Sequence, residues 1–384
     1  MLRSVKILAI AGLASAVIAG HVSAADIELP GQIAWTAYDT GSAGYNQAVA
    51  VGSALKSAMG VDLRVLPGKN DVARSEPLRQ GKVQFSATGV GGSFMAQEGA
   101  FEFGNPGWGP QPVRVLLANN GGAINLAVGV AGDIGVEDYA DLKGKRIAWI
   151  KGAPALNVNT TAYLAYAGLT WDDVKKVEFG GFGDSWKGLI NGQVDAAFAS
   201  TNSGFAYEAA AGPRGLVWPK INRDDQEGLA RMQEIAPFFV ANTATVGANI
   251  DGGGAYEGAG YAYPVLIAMA EQDDELVYNM TRAMVELFDQ YDGKAPGIGG
   301  WALDKQTYEW VVPYHEGAIR YYKEIGVWTD KAQSHNDSLL ARQQALAEAW
   351  EALKAEGIGD DAWSDTWGEA RRKALKDGGF RVVF

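Results

Sequence analysis

From residue 33 to residue 219 the chain alternates short apolar runs of strand length with stretches of helical composition, and several of the runs open into a small polar loop. Ile33 to Tyr38 is the first run, ended by Asp39-Thr40-Gly41-Ser42-Ala43-Gly44. Tyr45 to Met59 follows as a helix with Val49, Leu55 and Met59 as its core positions. Val61 to Leu66 predicts a second strand, and Asn70 or Asp71 is placed to cap a helix running to Gln80. One stretch then occurs twice. Leu78-Arg79-Gln80-Gly81-Lys82-Val83-Gln84-Phe85 returns 111 residues later as Leu189-Ile190-Asn191-Gly192-Gln193-Val194-Asp195-Ala196. In each copy a helix stops at Gly (Gly81, Gly192), the residue that takes the left-handed conformation past a helix end without steric cost. A strand follows (Val83 to Ala87, Val194 to Ala199), then the loops Thr88 to Ser93 and Ser200 to Gly204, with Phe94 and Phe205 in register behind them.

Strand, Gly-rich loop, helix, strand is the pattern of a largely parallel sheet flanked by helices, and its return predicts two α/β lobes built alike. Val113 to Leu117 adds a strand to the first lobe, and Leu126 to Val130 carries the chain into the second. There Lys145 to Ile150 is a strand, Lys151 to Ala155 a loop, and Asn159 to Ala167 a helix stopped at Gly168. Asp184 is expected to cap the short helix to Asn191, and Val217 to Pro219 is a brief strand. Thr243 to Asn249, alternating and β-branched, is expected to return to the first lobe, and Asp251 to Gly260 reads as a glycine-rich loop. Asp274 to Tyr291 is an amphipathic helix. The expected organisation is residues 26–124 plus 243–327 for lobe I, 125–242 for lobe II, and 328–384 as a helical C-terminal extension. In that extension Ser338 to Glu356 carries Leu339, Leu346, Trp350 and Leu353 at heptad-like spacing, which fits a helix packed on the body or the seam of a weak dimer.

A chain of 384 residues is long enough for two globular lobes, and 47% apolar with 20% charged residues is ordinary for a globular protein. The N-terminus reads as a secretory signal peptide over residues 1–25: Arg3 and Lys6 precede the apolar run Ile7 to Ala19, and Val22-Ser23-Ala24 has the small-x-small cleavage pattern. Its removal takes the formal charge from −12 to −14. That balance speaks against a nucleic-acid partner, which needs a basic face. Without Cys, neither disulfides nor thiolate chemistry enters.

Signatures of catalysis, metal binding and cofactor binding are missing. His315 and His335 sit in no H-E-x-x-H, Gly41-Ser42-Ala43-Gly44 lacks the preceding Gly of a nucleophile elbow, and no phosphate-binding glycine motif occurs. The chemistry is instead expected where four polar loops meet the ends of strands, because ligands of open α/β sheets bind there and helix N-termini offer free N–H groups to anions. The residues so placed are Tyr38, Thr40, Gly41, Ser42, Tyr45, Gly89 and Ser93 in the first lobe, and Asn157, Asn159, Thr160, Thr201 and Asn202 in the second. Ordinary helix capping is the alternative reading for Ser42, Tyr45, Asn157, Asn159 and Thr160. Arg74 is the preferred cation, since a guanidinium matches a carboxylate bidentately; a salt bridge to Glu76 or Asp71 is its alternative. Lys151 is the second choice, and Trp35, Tyr38 and Trp149 are either cleft walls or core.

Thr40-Gly41-Ser42-Ala43-Gly44-Tyr45, Asp141-Leu142-Lys143-Gly144-Lys145-Arg146-Ile147, Leu189 to Phe198, and above all Tyr314-His315-Glu316-Gly317-Ala318-Ile319-Arg320-Tyr321-Tyr322-Lys323-Glu324-Ile325-Gly326 give the chain a family character. Over Ile33 to Val327 it resembles the TAXI-type solute-binding subunits of tripartite ATP-independent periplasmic (TRAP) transporters. The resemblance implies a two-lobed periplasmic binding protein of type II that closes on a small organic acid (a dicarboxylate, 2-oxoacid or acidic amino acid). It implies delivery to integral-membrane TRAP subunits driven by an ion gradient, with no cofactor. Gly152-Ala153-Pro154-Ala155-Leu156-Asn157 in place of a Gly-Ser-rich loop, and Arg74 in place of Asn, depart from the family pattern. The alternatives are the receptor of an ATP-driven importer, a periplasmic enzyme, and a sensor of the same fold.

Overall fold

The computed structural model describes residues 27–384; residues 1–25, expected from the sequence to be a signal peptide, lie outside them. Two five-stranded sheets organise the chain. The first contains β1 (Gln32–Ala37), β2 (Asp62–Pro67), β3 (Phe85–Thr88) and β4 (Val113–Ala118); the second contains β5 (Leu126–Ala131), β6 (Arg146–Ile150), β7 (Lys175–Phe179), β8 (Ala196–Ser200) and β9 (Leu216–Val217). The chain then forms an antiparallel ribbon of β10 (Val240–Ala244) and β11 (Tyr256–Gly260), and returns to the first sheet through β12 (Val265–Met269). Strand order is β2-β1-β3-β12-β4 in one sheet and β7-β6-β8-β5-β9 in the other. In both, three parallel strands are followed by one antiparallel strand from the lobe crossing. The two lobes therefore share one plan.

The repeated stretch explains the correspondence. The helices Asp71–Arg79 and Phe182–Ile190 stand at the same 111-residue offset as the sequence repeat. Gly81 and Gly192 follow them at φ +64° and +77°, where a Cβ would be strained. Helix ends elsewhere are as local: Ser42 caps Ala43–Met59 by accepting from the Tyr45 N–H at 3.2 Å, and Gly60 closes it at φ +71°.

Several boundaries differ from the sequence reading. Pro154 at the first turn starts the second-lobe helix at Pro154–Tyr166, five residues ahead of the expected Asn159. The helix expected to begin at Asp184 begins at Phe182, with Gly181 at its cap. Thr243 to Asn249 is not the returning strand: β10 ends at Ala244, and the fully buried β12 makes the return. Asp251 to Gly260 is not all loop, since Tyr256–Gly260 pairs with β10. Val49 is 44% exposed rather than in the core.

The extension is a hairpin of the helices Asp330–Ala355 and Asp360–Asp377. Leu346, Trp350 and Leu353 face Trp363, Trp367 and Leu375, with Trp350 edge-on to both other tryptophans at 4.9 and 4.8 Å, so most of the heptad-like face is covered by the chain itself. It is fastened to lobe I through Glu98, a fully buried carboxylate that receives Arg342 (Nε–Oε1 2.6 Å, Nη2–Oε2 2.7 Å) and Arg371. Trp363 and Trp367 donate to the Gly104 and Gly99 carbonyls at 2.9 and 2.6 Å.

The buried His315 caps the helix Glu316–Glu324, its Nδ1 accepting from the Gly317 N–H at 3.2 Å. A protonated imidazole cannot accept there. Burial pushes its pKa down, with Arg114 adding to the shift and Asp274 opposing it. The unfolded chain takes up this proton near pH 6.5 and the folded chain only at lower pH, so the contribution is complete above about 6.5 and is lost as pH falls below it. Folding stability measured by denaturant titration is expected to fall from pH 7 toward pH 5 by up to about 1.4 kcal/mol per pH unit through this group. His315→Asn, which keeps a capping acceptor, is expected to flatten that part of the fall; an unchanged slope overturns the assignment.

Candidate functional site

The carboxyl ends of β1, β3, β6 and β8 face one another across the gap between the lobes, and the gap is closed. Three main-chain bonds cross it: Val72 N–H to the Gly152 carbonyl (3.2 Å), Phe182 N–H to the Lys69 carbonyl (3.1 Å), and Gly204 N–H to the Gly41 carbonyl (3.0 Å). Side chains add Asn70 Nδ2 to the Lys151 carbonyl (3.1 Å) and Gly183 N–H to Asp39 Oδ2 (3.2 Å). Inside lies a cavity of about 20 Å³, bordered among others by Tyr38, Ser42, Asn159, Ser200, Tyr261 and Tyr263. That is room for about one water molecule, so a solute enters only when the lobes part.

Beneath Tyr38 sits a buried ion pair. Arg74 Nη2 pairs with Asp71, Arg74 Nη1 donates to the Gly68 carbonyl at 3.2 Å, and the guanidinium lies 3.4 Å from the Tyr38 ring centroid. Asp71 Oδ2 reaches across the gap to accept from the Ala155 N–H at 2.9 Å, at the N-terminus of the Pro154–Tyr166 helix. The Asp71 carboxylate thus takes two of the donors that a ligand carboxylate was expected to use, the Arg74 Nη2 and a helix N-terminal amide, while Arg74 Nε is buried without a partner. Arg74 is no free guanidinium. Burial pushes the Asp71 carboxyl up, held back by Arg74 and the Ala155 amide. Burial also pushes the Tyr38 phenol up to about 12, and those of Tyr261 and Tyr263 well above their ordinary value, so all three are neutral donors at pH 7.

Of the expected site residues, Tyr38, Ser42 and Asn159 border the cavity and Arg74 lies directly behind it. Asn159 Nδ2 donates to the Tyr261 hydroxyl at 2.7 Å, while its Oδ1 is buried without a partner. Gly89 makes room for the Tyr38 hydroxyl, which a Cβ there would approach to 2.4 Å. Gly41, at φ +89°, gives its carbonyl to the lobe contact.

The others are committed elsewhere. Asn157 bonds both the N–H and the carbonyl of Ile150 at 2.9 Å, and Thr160 donates back to the Leu156 carbonyl, because both lie inside the helix rather than at its start. Ser93 donates to the Gly89 carbonyl (2.7 Å), Thr201 to the Val246 carbonyl (2.8 Å), and Asn202 to the Pro296 carbonyl (2.7 Å). Lys151 is 69% exposed and pairs with Glu178 at 2.9 Å. Thr40 is exposed, and Tyr45 packs against the core. Trp35 is core, edge-on to Phe85, and Trp149 stands edge-on to Trp171 away from this cavity. Sequence reasoning missed Asp71 as a site group, and missed Ser200, Tyr261 and Tyr263. The pair Tyr261-Ala262-Tyr263 just before β12 was the available signal.

Two α/β lobes of one plan, closing with their strand ends over a shared cavity, are the type II periplasmic binding-protein fold. The chain belongs to the NMT1-like family, whose model matches residues 37–326. Among solved structures it is similar to the alkanesulfonate-binding protein SsuA from Xanthomonas axonopodis pv. citri bound to MOPS, at 14% identity and TM-score 0.44 over 85% of this chain and 94% of that one. It is similar to an ancestral arginine-binding protein bound to arginine, at 15% identity and TM-score 0.44 over 70% and 97%. It is also similar to an amino acid ABC transporter substrate-binding protein from Streptococcus pneumoniae bound to L-arginine, at 13% identity and TM-score 0.41 over 71% and 95%.

Proposed function

We propose that this protein is an extracytoplasmic solute receptor that closes its lobes over one small solute of zero net charge, zwitterionic or neutral, and presents it to a membrane importer. The observation that carries this reading is the Asp71–Arg74 pair behind the Tyr38 wall: it is balanced in itself, and the polar side chains bordering the cavity are hydroxyls and an amide. A dicarboxylate or 2-oxoacid would set uncompensated negative charge beside the buried Asp71, which a low-dielectric site penalises. Asn159 Oδ1 asks for a donor, such as an ammonium or amide N–H. Each of the organic acids that the family resemblance implies, the acidic amino acid included, carries net negative charge at pH 7, so the zwitterionic or neutral solute proposed here departs from that expectation.

The membrane partner is either a set of TRAP subunits or the permease of an ATP-driven importer. Closure serves both, and the amino acid ABC transporter substrate-binding protein named above belongs to the second kind. Uptake into vesicles carrying the membrane subunits, driven by ATP in one case and an ion gradient in the other, separates them.

A thermal-shift panel of zwitterionic, neutral and dianionic solutes tests the binding reading. A solute present at a hundred times its dissociation constant adds about 2.7 kcal/mol to folding stability. Zwitterions or neutral solutes are expected to give that shift. A panel in which only dicarboxylates shift the protein overturns the charge argument, and turnover of the bound solute overturns the receptor reading.

A further inference from the structure

A second cavity, of about 330 Å³, lies on the opposite face of the same second-lobe helix. Ala155, Leu156 and Asn159 look into the cavity between the strand ends, whereas Pro154, Asn157, Val158 and Thr161 line the second one. Its aromatic walls come in two edge-to-face pairs. Trp149 and Trp171 of the second lobe stand 5.1 Å apart at 79°; Phe101 of the first lobe and the chain-terminal Phe384 stand 5.0 Å apart at 65°. The Phe384 main chain is tied down by Arg371, whose Nη1 donates to its carbonyl oxygen at 3.0 Å. Phe101 is held at φ +56° while 46% exposed, a conformation that costs a bulky residue energy and persists only where its surroundings impose it.

Two carboxylates complete the lining, Glu102 from the first lobe and Glu234 from the second. Neither takes part in an ion pair among the described residues. Burial pushes the Glu102 carboxyl up, the direction expected where no cation stands beside it. A cation already uses Trp149: Lys176 Nζ lies 4.8 Å from its ring centroid and 3.9 Å from Glu178.

We propose that this cavity is a second binding site, for a weakly hydrated organic cation with an apolar body, such as an aryl- or alkyl-substituted quaternary ammonium. Aromatic faces attract a desolvated cation through their quadrupoles, and the apolar body fills the space between the two ring pairs. Glu102 and Glu234 supply the compensating charge from opposite sides. Because the walls come from both lobes and the extension, a molecule seated there touches all three at once. It therefore binds the closed arrangement better than an open one, and favours closure to the same extent.

Benzyltrimethylammonium is the probe, with benzyl alcohol as its neutral and benzenesulfonate as its anionic counterpart. Calorimetry and tryptophan fluorescence on the full mature chain report binding. The cation is expected to bind at least about tenfold more tightly than either counterpart, and to change Trp emission. Glu102→Gln together with Glu234→Gln is expected to weaken it by at least about tenfold, and added salt to weaken it in the parent. Equal binding of the three probes, undiminished binding by a folded double variant, or no binding at tens of millimolar cation overturns the proposal. Should the double variant fail to fold, the ranking of the three probes on the parent decides by itself.

Discussion

Glu98→Gln is expected to cost roughly 3–5 kcal/mol of folding stability, the effect of removing one member of a buried ionic cluster. Glu98 is fully buried, and it answers two arginines that are themselves nearly so, with 8% and 4% side-chain exposure for Arg342 and Arg371. An amide in its place leaves two guanidinium charges away from water with only carbonyl acceptors. Because Arg342 and Arg371 sit on the two helices of the extension, loss of the charge loosens the extension together with the lobe beneath it. Calorimetric unfolding is the measurement. The control is Glu76→Gln, which removes a partly exposed pair with Arg79 and is expected to cost under about 1 kcal/mol. Equal costs for the two variants would show that Glu98 is not the fastening point.

Asp71→Asn is the second variant with a large expected effect, and it acts on selectivity as well as stability. The amide removes the charge that balances Arg74, leaving a buried guanidinium beside the cavity between the lobes. Stability is expected to fall, again by roughly 3–5 kcal/mol. A free carboxylate that enters between the parted lobes and balances the bare guanidinium is expected to restore part of it, so acetate raises the melting temperature of the variant and not of the parent. In the thermal-shift panel, anionic solutes are expected to gain at least about tenfold in affinity relative to zwitterions, since about 1.4 kcal/mol of new attraction suffices. A variant that still prefers uncharged solutes removes Asp71 from the determinants of ligand charge.

The duplicated plan was legible because the same local chemistry recurs: a helix, a glycine at positive φ, and a buried strand in each copy. That Tyr38, Ser42 and Asn159 border the cavity was legible for a related reason, since strand ends and the helices after them converge in such folds. What the sequence concealed were pairings across the gap. An acid in the first turn of a helix reads as a partner of the helix dipole, and nothing local to Asp71 shows that Ala155 lies opposite it. Tyr261 and Tyr263 follow a glycine-rich run that masked β11. Asn157 and Thr160 were misplaced because Pro154 starts that helix early, which turns Asn157 onto the Ile150 backbone at the end of β6 and Thr160 onto the helix's own Leu156 carbonyl.

The seam between the lobes is made largely of peptide groups: Val72 to Gly152, Phe182 to Lys69, and Gly204 to Gly41. A peptide bond is the same whatever side chain it carries, so drift at the mouth can retune which molecule is chosen while the grip of one lobe on the other is inherited unaltered. Relatives with unlike cargoes would then share one clasp.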